Sequence, residues 1–229
     1  MVFKDEVEQR YRGEAGKAYH QTTHFVPDLS YSWVAQLRAS KISPYVHGKD
    51  TVLEYGVGIG WNLARIECER KLGFDLSESV EPVIQSHGIE FVRDVSDVAD
   101  KSIEIIICHH VLEHTSHPPE ILEEIKRMLR HKGKLLLFVP YEKERRFRHY
   151  DSKQANHHLY SWNVQTLGNL VENMGFKVVE GKVGRFGYDR FAAVWASRFR
   201  LGESGFRFVR RAVHLLKPMF EVRVVAERE

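Results

Sequence analysis

The chain has 229 residues, 43% of them hydrophobic. That is enough to bury one full core, so one domain over residues 1–229 with appendages is expected rather than two independent units. The 34 Lys and Arg stand against 31 Asp and Glu, a net charge of +3, and so balanced a surface disfavours a nucleic-acid binder with a concentrated basic face. Cys68 and Cys108 lack C-x-x-C spacing and read as buried free thiols of a reducing cytoplasm. The charged stretch Met1 to Glu6 has no signal-peptide apolar region, and no apolar run reaches the ~18 residues of a membrane span.

In chain order, residues 1–48 are predicted to be a polar helical cap, with Trp33, Val34, Leu37 and Ile42 at rough helical spacing before Pro44. A buried strand at Thr51 to Tyr55 runs into Gly56, Gly58 and Gly60, and a helix is expected from about Asn62 to Glu69. Short strands follow at Leu72 to Asp75 and Ile89 to Val92. Ile103 to Cys108 is apolar almost throughout, as a central parallel strand buried on both faces requires. Ile121, Leu122, Ile125, Met128 and Leu129 recur at helical spacing, with Gly133 placed to end that helix in a left-handed conformation. A strand at Leu135 to Val139, a helix at Thr166 to Met174 ended by Gly175, and strands at Phe176 to Val179 and 221–226 complete the pattern. The alternation predicts an α/β fold: a doubly wound, mostly parallel, seven-stranded sheet, with a helical insertion at 185–220 before the last strand.

The glycine turn indicates a ligand. Counting from Gly56, the third glycine of the dinucleotide fingerprint G-x-G-x-x-G would fall at Trp61, which disfavours a pyrophosphate and a nicotinamide dehydrogenase. The chain instead has Glu54 before the turn, where it would lie near a cationic amine. Asp75, at the next strand end, is placed to accept from ribose hydroxyls, and Asp94 follows the third strand. A ligand with a ribose and positive charge but no phosphate fits this series, and S-adenosylmethionine is such a ligand.

Here the chain resembles the class I S-adenosylmethionine-dependent methyltransferases, in their small-molecule and lipid branch. The resemblance runs from about Ser40 to Glu180 and is carried by VLEYGVGIG, GFDLSES, Asp94 with Val95, CHHVLEHTSHPPEILEEIKRMLRHKGKLLLFVP and LVENMGFKVVE. It implies that the turn of Gly56, Gly58 and Gly60 contacts the methionine moiety. It also assigns Asp75 and Leu76 to the ribose side, Asp94 and the Val95 amide to the adenine, and the backbone near His109 to the sulfonium. It further implies methyl transfer to an oxygen, nitrogen or carbon of a small-molecule or lipid-like acceptor. The alternative is a non-catalytic binding or accessory protein of the same fold.

Methyl transfer needs alignment and at most one proton acceptor. His109, His110, His114 and His117 follow the fourth strand, and His157 and His158 follow the fifth after a basic loop at 141–150. His110 and His157 are the candidate bases, against the plainer reading of packing or helix capping. His110 and His114, four apart, could share a helix face. Glu113 and His117 are close by, but no further ligand at usable spacing is evident, and no metal is expected.

The segment 185–217 has eight Arg or Lys against Asp189 and Glu203, a local charge of +6. Phe206, Val209, Ala212, Val213 and Leu216 are predicted on one helical face, with Arg207, Arg210, Arg211 and His214 on the other. The plainer expectation is a helix docked on the body of the domain. The sharper one is that residues 191–217, with Phe191, Trp195 and Phe199, cover a lipid-like substrate and touch anionic membrane, giving a cytoplasmic protein with peripheral membrane contact.

Overall fold

The structure, a computed structural model, describes residues 9–23, 25–142, 149–150 and 157–229. Seven strands form one sheet: β1 Thr51–Tyr55, β2 Arg70–Phe74, β3 Glu90–Val92, β4 Ile103–His109, β5 Leu129–Pro140, β6 Phe176–Arg185 and β7 Phe220–Arg228. Their spatial order is β3-β2-β1-β4-β5-β7-β6. β7 runs antiparallel to β5 and β6, and the other neighbours are parallel. The chain order reverses at β1 and β4, and ligands of open α/β sheets bind at the strand C-termini beside such a switch point.

The helices among the described residues are α1 Gly13–Thr23, α2 Asp28–Ala39, α3 Glu81–Gln85, α4 Pro118–Met128, α5 Val164–Asn173, α6 Asp189–Arg198 and α7 Gly202–Leu216. β4 is buried at every position but Glu104, because helices cover both faces of the sheet. On one face α4 and α5 bury Leu122, Ile125, Leu167 and Val171 against Leu53, Ile106 and Leu137. On the other, Ile42, Leu63, Ile66 and Ile84 meet Val52, Ile105 and Ile107. α5 starts at a capping box in which Asn163 Oδ1 accepts from the Thr166 amide at 2.9 Å and Thr166 Oγ1 accepts from the Asn163 amide. A cap of this kind contributes roughly 1 kcal/mol.

Two expected elements differ. No α-helix forms over 62–69: residues 61–65 are turns, closed by Leu63 and Ala64 amides donating to the Gly60 carbonyl. Leu63 and Ile66 are buried as their apolar character requires, but Trp61 and Asn62 are committed to tertiary contacts that a continuous helix would not make. Helix α4 also ends at Met128 rather than near Gly133. Leu129 already pairs with Ile103, and Lys132 takes the left-handed conformation (φ 60°) while Gly133 packs inside the strand against the Glu104 carbonyl.

A third cluster joins the N-terminal segment to the insertion. Val26, Trp33 and Val34 pack with Trp61 and with Ala192, Ala193, Ala196 and Phe206 of α6 and α7. Beside it, the buried Asp189 carboxylate accepts from Arg38 Nε and Arg210 Nε, each at 2.7 Å. This pair of ion pairs binds α2 to α6 and α7. It also corrects the expected faces of α7. His214 is buried and bonded to the Gly187 carbonyl, Arg210 is held inward by Asp189, and Leu216 is 89% exposed.

Candidate functional site

A cavity of about 1090 Å³ lies over the C-terminal ends of β1, β2 and β4. It is slightly larger than the usual ligand-site range. Glu54, Gly56, Gly58, Asp75, Leu76, Asp94, Val95, His109 and His110 all line it. Gly60 does not: its φ is +81° and a Cβ there would meet Ile89 Cδ1 at 2.8 Å, so this glycine serves the turn and its packing. Tyr11, Tyr19 and His20 close the cavity from the N-terminal side, and Tyr188 and Met219 from the insertion side.

The glycine turn is tied to the second strand. Gly56 and Val57 amides donate to the Phe74 carbonyl at 2.8 Å, and the Gly58 amide donates to Asp75 Oδ2 at 2.9 Å. Gly56 and Gly58 both have positive φ, +79° and +52°, which a side chain disfavours. Val57, which is buried beside the cavity, is accommodated by Gly73, whose added Cβ would lie 2.9 Å from Val57 Cγ2. Trp61 is buried on the wall, with the Arg38 guanidinium 5.5 Å from its ring centre.

The three acids occupy different electrostatic settings. Glu54 is buried and its Oε1 accepts from the Asn62 amide group, but Oε2 has no hydrogen-bond partner among the described residues. Burial pushes its carboxyl up to about 8 against the opposing pull of Asn62, Arg38 and Lys41. Asp75 accepts from the Gly58 and Ser77 amides at 2.9 Å, with His20 Nε2 at 3.4 Å from Oδ1. A carboxylate offers about four lone-pair positions, so capacity for a ribose hydroxyl remains. Asp94 is exposed, and the Ser96 amide bonded to Oδ1 holds its carboxyl below the usual range.

Behind the floor is a compact charged group. Lys41 Nζ donates to Glu221 Oε1 at 3.0 Å and to His109 Nε2 at 2.8 Å, and Arg223 Nε reaches Glu221 at 2.9 Å. Burial lowers Lys41 to about 8, while the Lys41 charge and both histidines outweigh burial to hold Glu221 well below the carboxylate range. His109 and His110 stack at 4.4 Å. Burial depresses both, His110 to about 4, so each is neutral near pH 7. His110 takes a left-handed backbone (φ 57°) that turns its ring toward Glu221, with Nε2 3.5 Å from Oε2.

His110 and His114 therefore share no helix face: Leu112–His114 is a single 3-10 turn. The segment after β5 folds back over that turn, with the Leu159 amide donating to the Glu113 carbonyl at 2.7 Å and Tyr160 Oη to the Ser116 carbonyl at 3.0 Å. This puts His158 on the cavity wall beside His114, while His157 lies outside the lining. Sequence spacing does not single out His158, because its neighbourhood is made by that return of the chain. Residues 143–148 of the basic loop, and Asn156, lie outside the described residues.

Glycine turn, buried acid and polar strand ends together define a site for a cationic nucleoside at the edge of a Rossmann-like sheet. Residues 25–181 match the family described as a methyltransferase domain. The chain belongs to this family, the class I S-adenosylmethionine-dependent methyltransferases, and S-adenosylmethionine is its cofactor. The site fits that group: Glu54 presents an uncompensated oxygen for positive charge, and the turn leaves its backbone open at Gly58.

An uncharacterized protein of Methanocaldococcus jannaschii is 22% identical over 135 residues, covering 56% of this chain and 65% of that protein, less than two thirds of its length. A chain from the Haloferax volcanii complex containing the Trm112 methyltransferase activator shares the fold with a TM-score of 0.63 at 18% identity, covering 97% of each chain. A phosphoethanolamine N-methyltransferase 2 of Haemonchus contortus, in complex with phosphomonomethylethanolamine and S-adenosylhomocysteine, does so with a TM-score of 0.57 at 14% identity. That likeness covers 87% of this chain and 56% of that one.

Asp75 holds the Gly58 and Ser77 amides, and its variants separate that observed role from the expected one of ribose acceptor. Asp75→Asn keeps one acceptor oxygen and is expected to weaken S-adenosylhomocysteine binding by about tenfold, a loss of one charge-assisted hydrogen bond. Asp75→Ala is expected to weaken it further and to lower Tm as well, because the Gly58 and Ser77 amides lose their acceptors. Calorimetry alongside thermal melts checks both; equal binding by all three proteins contradicts the assignment.

Proposed function

We propose that the protein transfers the methyl group of S-adenosylmethionine to a small-molecule or lipid-like acceptor. The observation that carries this reading is the convergence of Glu54, Asp75 and Asp94 around one glycine turn in a cavity with room beyond the cofactor positions. When bound, the cofactor supplies an electrophilic methyl group. Glu54 would hold the methionine end by charge, Asp75 and Leu76 the ribose, and Asp94 with the Val95 amide the adenine. His109 and His110, both neutral, would border the sulfonium side, and His110 is the better placed of the two candidate bases because it lines the cavity and His157 does not. Incubation of the protein with S-adenosylmethionine and a cell extract is expected to release S-adenosylhomocysteine, and Asp75→Ala to abolish the release. Cofactor binding without any release would favour the accessory-protein alternative.

The outer surface of the insertion, away from the cavity lining, suits an amphiphilic acceptor. α6 buries Ala192, Ala193 and Ala196 and leaves Phe191, Trp195 and Phe199 between 45% and 53% exposed, their rings in sequence at 5.8 and 5.1 Å. Arg190, Arg198 and Arg200 flank this aromatic row in the chain, and Phe208 and Leu215 are also exposed on α7. Apolar rings rimmed by guanidinium groups suit an anionic lipid surface. No helix among the described residues is long and apolar enough to cross a membrane. Sedimentation with anionic vesicles is expected at low salt and to fall about tenfold or more for a variant carrying Trp195→Ser with Arg198→Glu and Arg200→Glu, given ~1 kcal/mol per basic residue near the surface. Arg210 is excluded from such a variant because Asp189 holds it in the fold. Wild-type protein that stays in the supernatant at low salt contradicts this contact.

A further inference from the structure

Glu113 is fully buried on the cavity wall, and neither of its carboxylate oxygens has a hydrogen-bond partner among the described residues. A buried carboxylate without a countercharge costs several kcal/mol, and such groups are ordinarily paired or bound to a cation.

Three imidazoles lie beside it, among them His110, whose Nδ1 is 3.7 Å from Glu113 Oε1. His114 Nε2 is 3.8 Å from Glu113 Oε1, and the His114 and His158 rings meet edge to face at 4.8 Å. Each of Glu113, His114 and His158 offers one ligating atom, and the three atoms lie within 4.8 Å of one another. The Nδ1 atoms are already engaged: that of His114 with Tyr11 Oη at 2.9 Å, that of His158 with Glu142 Oε1 at 3.0 Å. For His158 the Glu142 carboxylate on Nδ1 favours the proton there and leaves the lone pair on Nε2, the arrangement found behind metal-bound histidines; His114 reaches the same tautomer when the Tyr11 hydroxyl accepts from its Nδ1. Bonds of about 2.0–2.1 Å to Zn²⁺ need ligand atoms roughly 3.4 Å apart, a modest closing of side chains from the present separations.

We propose that Glu113, His114 and His158 form a divalent-cation site at the acceptor end of the cavity. Two imidazoles and one carboxylate suit a first-row transition ion such as Zn²⁺ or Mn²⁺ and leave a position for an oxygen of the incoming acceptor. The neighbouring group of His109, His110 and Glu221 also clusters ligand atoms. The Lys41 ammonium and the Arg223 guanidinium already neutralise it, so a second cation is not needed there. Ion binding is independent of the methyl-transfer reading and is measured without turnover.

The test is a calorimetric titration of Zn²⁺ into chelator-treated protein carrying Cys68→Ser, which removes the half-exposed thiol as a competing ligand. One ion per chain is expected. Glu113→Gln and His158→Asn should each weaken binding ten- to a hundredfold, and His109→Asn should leave it unchanged. S-adenosylhomocysteine binding by Glu113→Gln in the same preparation verifies that the cavity is intact. Binding of S-adenosylhomocysteine without binding of Zn²⁺, Mn²⁺ or Mg²⁺ by the wild-type ligand set overturns the site and leaves the methyltransferase reading standing. Ion binding that survives both Glu113→Gln and His158→Asn overturns it equally.

Discussion

Replacing Glu54 by glutamine is expected to stabilise the free protein above pH 6.5 while weakening S-adenosylmethionine binding. The two effects have one cause. In the free protein burial raises the Glu54 carboxyl to about 8 from an ordinary value near 4.5, so the folded state binds a proton that the unfolded state has released. The corresponding stability is complete below pH 4.5 and is lost as pH rises through about 8. Glu113 has the same sign, whereas burial lowers Lys41 to about 8 and makes its contribution rise with pH only above that value. The depressed histidines titrate below 6.5, which leaves pH 6.5–8 as the window in which wild-type Tm should fall. Glu54→Gln should flatten that fall. A bound cation favours the ionised carboxylate, so wild-type affinity should rise between pH 6 and 7.5, and in Glu54→Gln it should be ten- to a hundredfold weaker and nearly pH-independent, the loss of a charged interaction of roughly 1.5–3 kcal/mol. Parallel melts and titrations read both; a Tm difference that does not grow with pH contradicts the assignment.

Gly58→Val is expected to reduce cofactor binding more than a hundredfold while the chain still folds. The three glycines of the turn differ in what surrounds them. An added Cβ at Gly56 would run into Val111 and one at Gly60 into Ile89, so substitutions there report on packing. At Gly58 the nearest atom is His20 Cε1 at 3.8 Å, an ordinary contact, and Gly58 lines the cavity in which the cofactor is proposed to sit. A β-branched residue at φ +52° costs about 1–2 kcal/mol in backbone strain, a tolerable loss for a domain of this size. Circular dichroism with a folded spectrum and calorimetry with no heat of binding is the expected pair. Folded Gly58→Val that binds the cofactor normally moves the ligand away from the turn.

Legibility followed the range of the interaction. The strand at Ile103 to Cys108 was legible because burial on both faces demands an unbroken apolar run, and the acids at strand ends because a parallel sheet brings successive C-termini to one edge. The missing helix after Gly60 was not, since Leu63 and Ile66 satisfy the same burial in turns, and it is the Asn62 contact with Glu54 that fixes them. Gly133 ends no helix because the chain leaves the helix at Met128 to continue the sheet, a tertiary choice that helical spacing does not carry. Likewise His214 and Arg210 look solvent-facing by helical spacing, but Gly187 and Asp189, from another element, draw them inward. Glu113 with His114 was visible as a neighbouring pair, whereas its junction with His158 depends on the segment beyond β5 returning across the site.

The most direct test of the central claim is an isothermal titration of S-adenosylmethionine and S-adenosylhomocysteine into the wild-type protein at pH 7.5. Saturable binding of one molecule per chain, competed between the two compounds and weakened by Asp75→Asn, is the predicted result. A folded protein that binds neither compound would contradict the assignment of this cavity as a methyl-donor site.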